Sequence, residues 1–153
     1  MSEKGFKNFL STGTVYVVGA GYNKTFNCMT AAWVTKTSHN PTIVAVSVSP
    51  ERYTHNLIRD SKRFSLNALS DKQLNLSKHF GSKSGRDTDK MKDVEWHKGK
   101  YGTPILDEVL AWGEFEVIDQ IVTGDHTLFI GELLDGELSE PFKPLLFSKE
   151  DYY

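Results

Sequence analysis

One segment of the chain joins an apolar strand-like run to a predicted helix through residues that could bind an anion. The run Ile43–Val48 is followed by Ser49-Pro50 and then by a helical pattern that reaches Asp60. Ser49 is a favourable N-cap residue and Pro50 suits the first helical position, so the sequence predicts a helix directly after the strand. The N–H groups of such a helix end bind phosphate, and polar side chains lie nearby at Ser47, Ser49, Arg52 and Thr54. An ordinary capped helix with no ligand is the alternative interpretation.

A second candidate segment is the charged stretch of residues 81–90. It contains glycines, serines and charged residues but almost no apolar ones, which indicates a surface loop. Long loops in a compact domain are often functional, and Lys83, Arg86 and Lys90 could meet an anion there. In the alternative interpretation, Asp87 and Asp89 pair with Arg86 and Lys90, and the loop is only a solvated connection.

His126 is the best placed of the five histidines for chemistry. Gly124-Asp125 allows the chain to turn sharply before it, so His126 is expected at the start of a strand and at the mouth of a pocket. A neutral imidazole there could donate a hydrogen bond or relay a proton near pH 7. The alternative is a half-exposed structural histidine. Trp33 presents a similar choice, between a core aromatic and a ring that stacks on a flat ligand beside the small residues that precede it.

Length and composition indicate one globular domain spanning residues 1–153. Hydrophobic residues make up 39% and charged residues 25% of the chain, which is typical of globular proteins. A net charge of −2 argues against nucleic acid or an anionic membrane as a partner. The start of the chain has no apolar signal core and no window is apolar enough to span a membrane, so a cytoplasmic location is expected. The single cysteine, Cys28, has no partner for a disulfide, and the histidines show no metal-ligand spacing, so no metal site is expected.

Alternation of apolar and polar residues predicts a mainly β fold. Strands are expected at residues 14–18, 28–35, 42–48 and 64–69, and two long antiparallel strands within residues 106–134. The sequence from Ser70 to Gln73 reads as a capping box that opens a short helix ending at Gly81. Six or more strands with few helices favour a closed or nearly closed antiparallel barrel, because closure removes exposed sheet edges.

Five short motifs, in order, make the chain resemble the flavin reductase-like family of FMN-binding split-barrel proteins, which includes ferric reductases and flavoredoxins. The resemblance covers roughly residues 10–147. The motifs are NCMTAAW at 27–33, SVSPERYT at 47–54, FSLN at 64–67, SGRDTDK at 84–90 and GDH at 124–126.

The resemblance implies a six-stranded antiparallel split β-barrel of Greek-key type, a homodimer, and one FMN per subunit near the dimer interface. It implies that the isoalloxazine ring lies along Asn27, Thr30, Ala31, Ala32 and Trp33. The same resemblance places the phosphate and ribityl chain against Ser47, Ser49, Arg52 and Thr54, with Lys90 reaching the phosphate or the ring edge. His126 would face the ring where an electron donor or acceptor docks.

The activity implied by the resemblance is electron transfer from NADH or NADPH through FMN to free flavin, ferric iron or another small acceptor. An electron-transfer protein of the flavoredoxin kind, with no direct oxidation of nicotinamide, is the alternative. Gly19-Ala20-Gly21 lacks the third glycine and the following helix of a dinucleotide fingerprint, so a nicotinamide donor would dock only transiently. Ala31-Ala32 stands where many relatives carry a hydroxyl, so no hydrogen bond to the flavin is expected from these side chains.

Overall fold

The computed structural model describes residues 6–7, 10 and 13–152. The prediction of one domain over residues 1–153 includes positions outside this range and stays a prediction. Within the described residues the strands are β1 (Tyr16–Tyr22), β2 (Thr25–Ala31), β3 (Val34–Ser38), β4 (Ile43–Val48), β5 (Arg63–Ala68), β6 (Trp96–Lys98), β7 (Pro104–Leu106), β8 (Ala111–Thr123) and β9 (His126–Leu138). The helices are α1 (Tyr53–Ser61) and α2 (Leu74–Gly81), followed near the end by a 3₁₀ turn at Lys149–Asp151.

Seven of these strands form one antiparallel sheet in the order β2-β1-β5-β8-β9-β4-β3. Tight turns join the strands of two hairpins, and these turns contain residues with positive φ. Asn23 and Lys24 both have positive φ between β1 and β2, and Gly124 has φ +66° between β8 and β9. Such turns match the twist of paired strands. The mainly β, antiparallel class expected from the sequence is therefore confirmed.

The strand count differs from the prediction because the stretch 28–35 is not one strand. Ala32 and Trp33 interrupt it, so β2 and β3 lie at opposite ends of the sheet order. The Trp33 carbonyl oxygen still accepts a hydrogen bond from the Ser47 N–H, at 3.0 Å. The large sheet thus has seven strands instead of six, and β6 and β7 form a separate two-stranded hairpin.

Each face of the sheet carries its own apolar cluster, as strand alternation requires. On one face Val18, Met29 and Phe129 pack with Ile58 of α1. On the other face Val17 and Cys28 pack with Phe80 of α2. The strand β2 therefore has α1 against one face and α2 against the other, and its residues 27–29 lie between the two helices.

The helix α1 begins later than the sequence predicted. Arg52 is its N-cap residue, and the prediction that Ser49 caps the helix with Pro50 at its first position was wrong. The Ser49 carbonyl oxygen accepts a hydrogen bond from the Arg52 N–H at 3.0 Å, which closes a separate turn before the helix. Serine followed by proline also suits the first two positions of a β-turn, and this local preference prevails here. The Ser49 hydroxyl accepts from the Glu51 N–H at 3.2 Å.

The short helix α2 ends at Gly81, as predicted, but the prediction that the box from Ser70 to Gln73 opens it was wrong, because these residues contact each other in a turn before the helix. The Ser70 N–H donates to Gln73 Oε1 at 2.9 Å, and the helix starts at Leu74 with Gln73 as its N-cap residue. The two long strands β8 and β9 are also confirmed, and they extend further toward the C-terminus than the pattern indicated.

Buried polar side chains attach the β6–β7 hairpin and its connecting loop to the sheet. Asn67 Nδ2 donates to the Val17 carbonyl oxygen at 3.2 Å, and its Oδ1 accepts from the Leu106 N–H at 2.9 Å. Glu114, fully buried, accepts hydrogen bonds from the Thr103 hydroxyl and N–H. In the part of the chain described, neither helix has the length and apolar character needed to cross a membrane.

Candidate functional site

A cavity of about 240 Å³ lies where β2, the start of α1 and the loop of residues 81–90 meet. Four of the residues that the resemblance assigned to FMN line it, namely Asn27, Arg52, Thr54 and Lys90. They come from three segments that are distant in sequence, and the packing of both helices on β2 brings them together. The remaining lining residues are Met29, Glu51, Tyr53, Gly81, Ser82, Lys83, Ser84 and Gly85.

Asn27 and Thr54 form the polar floor of this cavity. Both are buried, and Asn27 Nδ2 donates a hydrogen bond to Thr54 Oγ1 at 2.9 Å. A buried amide and hydroxyl that contact each other are held in fixed orientations, since each would lose a partner by moving. The bond therefore joins β2 to the first turn of α1 at the site itself.

Lys90 brings a buried ammonium group to the cavity. Its side chain is only 2% exposed, and Nζ donates to the Phe80 carbonyl oxygen at 3.1 Å. Burial, together with the positive charge of Arg52, lowers the pKa of Lys90 to about 8. Burial also raises the pKa of the neighbouring Cys28 thiol to about 12, so that this cysteine stays neutral and supplies no balancing charge.

Arg52 places a second cation in the same cavity, at the N-cap position of α1. Its Nη2 atom is buried. Two cations in one cavity repel each other, and a bound anion would reduce this repulsion. A guanidinium, an ammonium group and a helix start are together the donor set that suits phosphate.

The loop of residues 81–90 takes part in the site in a different way from either interpretation of the sequence. Lys83 lines the cavity, as an anion-binding role requires. Arg86 instead donates to the Glu51 carbonyl oxygen, and Lys90 donates to the Phe80 carbonyl oxygen. The aspartates do not neutralise these side chains as the alternative supposed; Asp89, for example, accepts from the Met91 N–H at 3.0 Å.

A second group of predicted residues lies at the junction of β2 with β3 and at the start of β9. His126 begins β9, as predicted, and its ring centroid is 4.7 Å from that of Trp33. Trp33 is 46% exposed, so the core interpretation of this residue was wrong. His126 Nδ1 lies 2.7 Å from Asp125 Oδ1, and since an ionised carboxylate can only accept, Nδ1 donates. This hydrogen bond lowers the pKa of Asp125 and leaves His126 Nε2 for another partner.

The remaining predicted site residues do not line the cavity. Thr30 donates its hydroxyl to the Ser77 carbonyl oxygen of α2 at 2.6 Å, and Ala31 belongs to the apolar core. Ala32 is half-buried beside Trp33. Ser47 and Ser49 are half-buried, and Ser49 uses its hydroxyl in the turn that precedes α1.

The cavity is lined by Asn27 and Met29 of β2, whereas Trp33 lies two residues beyond the end of this strand. Asn27 and Ala31 are four residues apart on β2, which corresponds to about 13 Å. A second contact joins the two groups through α1. His55 Nε2 lies 2.8 Å from Thr127 Oγ1. His55 follows Thr54 of the cavity in the sequence, and Thr127 follows His126. An extended ligand with an anionic end and a flat end could therefore contact both groups.

Sequence reasoning missed several lining residues, chiefly Met29, Glu51 and Tyr53. Tyr53 lies inside the motif of residues 47–54. The sequence of this motif does not indicate whether the aromatic ring faces the cavity. Gly85 lies inside the motif of residues 84–90. Its lack of a side chain was the sequence feature that could have indicated close packing of the loop. A Cβ atom built there would lie 2.5 Å from Asn27 Oδ1, so only glycine allows the loop to pack this closely.

Comparison with known proteins identifies the family of the chain. A family model described as "Flavin reductase like domain" matches residues 10–153. An uncharacterized protein of Aeropyrum pernix is 33% identical over 140 residues, which are 89% of this chain and 53% of that protein. Diflavin flavoprotein A 1 of Synechocystis sp. is 28% identical over 130 residues, which are 84% of this chain but 23% of that protein. The chain thus spans about half or less of the length of these two relatives.

Among solved structures, an FMN-binding protein from Thermus thermophilus, crystallised with 1-cyclohex-2-enone, superimposes with a TM-score of 0.85. It is 32% identical in sequence, and the match covers 93% of this chain and 85% of that one. The resemblance inferred from five motifs is therefore confirmed over nearly the whole chain. Sequence and fold therefore show that the chain belongs to the flavin reductase-like domain family.

Proposed function

We propose that this protein binds FMN and is an oxidoreductase that transfers electrons from NADH or NADPH to free flavin, ferric iron or another small acceptor. The observation that carries the proposal is the convergence of Arg52 and Lys90 on one cavity, floored by Asn27 and Thr54. Membership of the flavin reductase-like family and the Thermus thermophilus structure support the identity of the cofactor.

The residues of the cavity fit the phosphate end of FMN. A phosphate monoester carries a charge of about −1.5 to −2 at pH 7. The cavity is lined by three cationic side chains, Arg52, Lys83 and Lys90, and by one carboxylate, Glu51, so its side chains supply a matching excess of positive charge. Arg52 offers a planar fork of donors, and Lys90 offers an ammonium group on a buried side chain. The cavity of about 240 Å³ has room for a phosphate and part of a sugar-like chain, but not for the flavin ring.

The flat end of the cofactor would extend along β2 toward Ala31, Ala32 and Trp33. Bound FMN supplies the hydride and electron chemistry of the reaction. The protein contributes orientation, and His126 contributes a nitrogen that can donate or accept a proton beside Trp33. In this proposal Thr30, Ser47 and Ser49 shape the surrounding backbone, since their side chains bond elsewhere or lie outside the cavity.

An electron-transfer protein without nicotinamide oxidation is the second candidate. The half-exposed indole of Trp33 beside His126 favours it, because a redox partner protein could approach the flavin at an open surface. Both candidates share the same FMN site and differ only in what docks against the ring. The cytoplasmic location expected from the sequence stays a prediction.

We also propose a homodimer in which a second copy covers an apolar groove of about 500 Å³. The groove is lined by Tyr16, Phe115, Leu133 and Leu138, and Lys36 and Glu137 also lie on it. Opposite charges on one groove allow a two-fold pairing in which each lysine meets the glutamate of the other copy.

Light scattering should give twice the chain mass of 17.3 kDa, and Leu138→Glu should shift the protein toward the monomer. A wild-type monomer at micromolar concentration would contradict this assembly.

Replacing Arg52 tests the phosphate site. Arg52→Ala should raise the FMN dissociation constant about 10- to 100-fold, because a hydrogen bond to a charged group contributes about 1.5–3 kcal/mol. Quenching of flavin fluorescence measures this constant. Arg59→Ala is the matched control, since Arg59 is an exposed guanidinium on the same helix that pairs with Asp60 at 2.9 Å. Equal FMN affinity in both variants would remove Arg52 from the site.

The pH dependence of FMN binding tests Lys90. In the free protein Lys90 loses its proton as the pH rises through about 8. A bound dianion raises this pKa, so binding takes up a proton above pH 8, and FMN affinity should fall there by up to about tenfold per pH unit. Isothermal titration between pH 7 and 9.5 should show this fall. Lys90→Met should bind more weakly and without the pH dependence; the same slope in this variant would assign the titration to another group.

Anaerobic mixing of the FMN-loaded protein with NADH and NADPH in separate runs tests the activity. Rapid bleaching of the flavin absorbance by one of them would establish the reductase. His126→Ala should slow this reduction more than it weakens FMN binding, because His126 lies at the proposed docking face. His97→Ala is the matched control, since His97 also pairs with an aspartate, Asp107, at 2.6 Å but lies on the β6–β7 hairpin.

Stable yellow colour with both nucleotides, and bleaching only by a reduced protein donor, would contradict the reductase and support the electron-transfer candidate. Equal losses of reduction rate and of FMN affinity in His126→Ala would mean that this residue only holds the ring. No binding of FMN at all would refute both candidates.

A further inference from the structure

Arg86 bridges the loop of residues 81–90 to the turn that precedes α1. Its Nη1 atom donates a hydrogen bond to the Glu51 carbonyl oxygen, and its guanidinium carbon lies 5.6 Å from the centroid of the Tyr53 ring. Glu51 and Tyr53 both line the cavity, whereas Arg86 does not. The bridge therefore joins two walls of the cavity from outside, and we call these contacts of Arg86 with Glu51 and Tyr53 the Arg86 bridge.

The residue before Arg86 is packed against the same walls. A Cβ atom on Gly85 would lie 2.5 Å from Asn27 Oδ1 and 2.7 Å from Tyr53 Cδ2. Contacts this short are not tolerated, so an added methyl group would push the loop away from the cavity floor. The glycine thus lets the loop backbone lie directly against Asn27 and Tyr53.

The other end of the loop is fixed as well. His79 Nε2 lies 2.8 Å from the Lys90 carbonyl oxygen, and Lys90 Nζ donates to the Phe80 carbonyl oxygen at 3.1 Å. These two contacts join residues at opposite ends of the loop. Because the loop is fixed at its base by Lys90 and at its far side by Arg86, its closed position is defined from both ends.

The position of the loop limits what can continue beyond the anion. The cavity is partly open to solvent, and its volume of about 240 Å³ is below the range of about 300–1,000 Å³ that is typical of small-molecule pockets. A terminal phosphate needs one opening, which its ribityl chain would fill. A phosphate that continues into a diphosphate and an adenosine needs a second opening, and the Arg86 bridge holds the loop against the turn where such an opening could form.

We propose that Gly85 and Arg86 make the site selective for a flavin that ends in a monophosphate and exclude one whose phosphate is extended by AMP. FMN and FAD are the two ligands that differ in this way alone. The inference rests on the proposed function, since it concerns the same flavin site, and it adds the residues that determine which flavin is accepted. Selectivity here is a difference of two affinities, obtained by closing the site against the larger ligand.

The test compares the dissociation constants of FMN and FAD for the wild-type protein, Arg86→Ala and Gly85→Ala by flavin fluorescence. The wild-type protein should bind FMN at least about tenfold more tightly than FAD. In Arg86→Ala, FAD should gain about tenfold in affinity while FMN changes by less than about threefold, because the opening appears but the phosphate donors stay. Gly85→Ala should also lower the ratio of the FAD dissociation constant to the FMN dissociation constant. This variant leaves the charge of the loop unchanged. Arg59→Ala controls for the loss of a surface cation.

Three results would overturn the inference. A parallel loss of FMN and FAD affinity in Arg86→Ala would make Arg86 a phosphate ligand or a structural support. Unchanged affinities in both variants would mean that the loop excludes nothing. Equal binding of the two flavins by the wild-type protein would show that there is no selectivity to explain. Each of these leaves FMN binding and the proposed function intact, whereas a wild-type protein that binds neither flavin would refute both.

Discussion

The site depends on keeping the buried ammonium group of Lys90 close to the guanidinium of Arg52. Burying a charge costs free energy, and burying it beside a like charge costs more, which is why the pKa of Lys90 falls to about 8. The Phe80 carbonyl oxygen offsets only part of this cost. An anion with two negative charges offsets much more of it, so the cavity favours a phosphate group over neutral ligands.

The fold maintains this arrangement by placing β2 between two helices. The helix α1 brings Arg52 and Thr54 to one end of the strand, and α2 leads into the loop that ends at Lys90. The Asn27–Thr54 hydrogen bond joins β2 to α1, and the contact of His79 with the Lys90 carbonyl oxygen joins the end of the loop to α2. The chain beyond this strand leads to Trp33, whose half-exposed indole packs beside His126.

The sequence predicted the fold class, the long strands, the end of α2 and several of the residues that line the cavity, because apolar alternation and charged motifs are local signals. It misplaced the start of α1, since Ser49-Pro50 suits a turn as well as a helix. It did not indicate that the Thr30 hydroxyl donates to the Ser77 carbonyl oxygen of α2, because tertiary packing determines this contact. The partners of Arg86 could not be foreseen, because Glu51 binds it through a main-chain oxygen that every residue possesses.

The central claim is that the phosphate of FMN lies between Arg52 and Lys90 and that the flavin ring extends along β2 to Trp33. A crystal structure of the protein with FMN measures this directly. The account predicts the phosphate oxygens within hydrogen-bond distance of the Arg52 guanidinium and Lys90 Nζ, under the loop that Arg86 closes, with the ring beside Trp33 and His126. A phosphate outside this cavity, or a ring far from Trp33 with both cations bonded to protein groups alone, would contradict it.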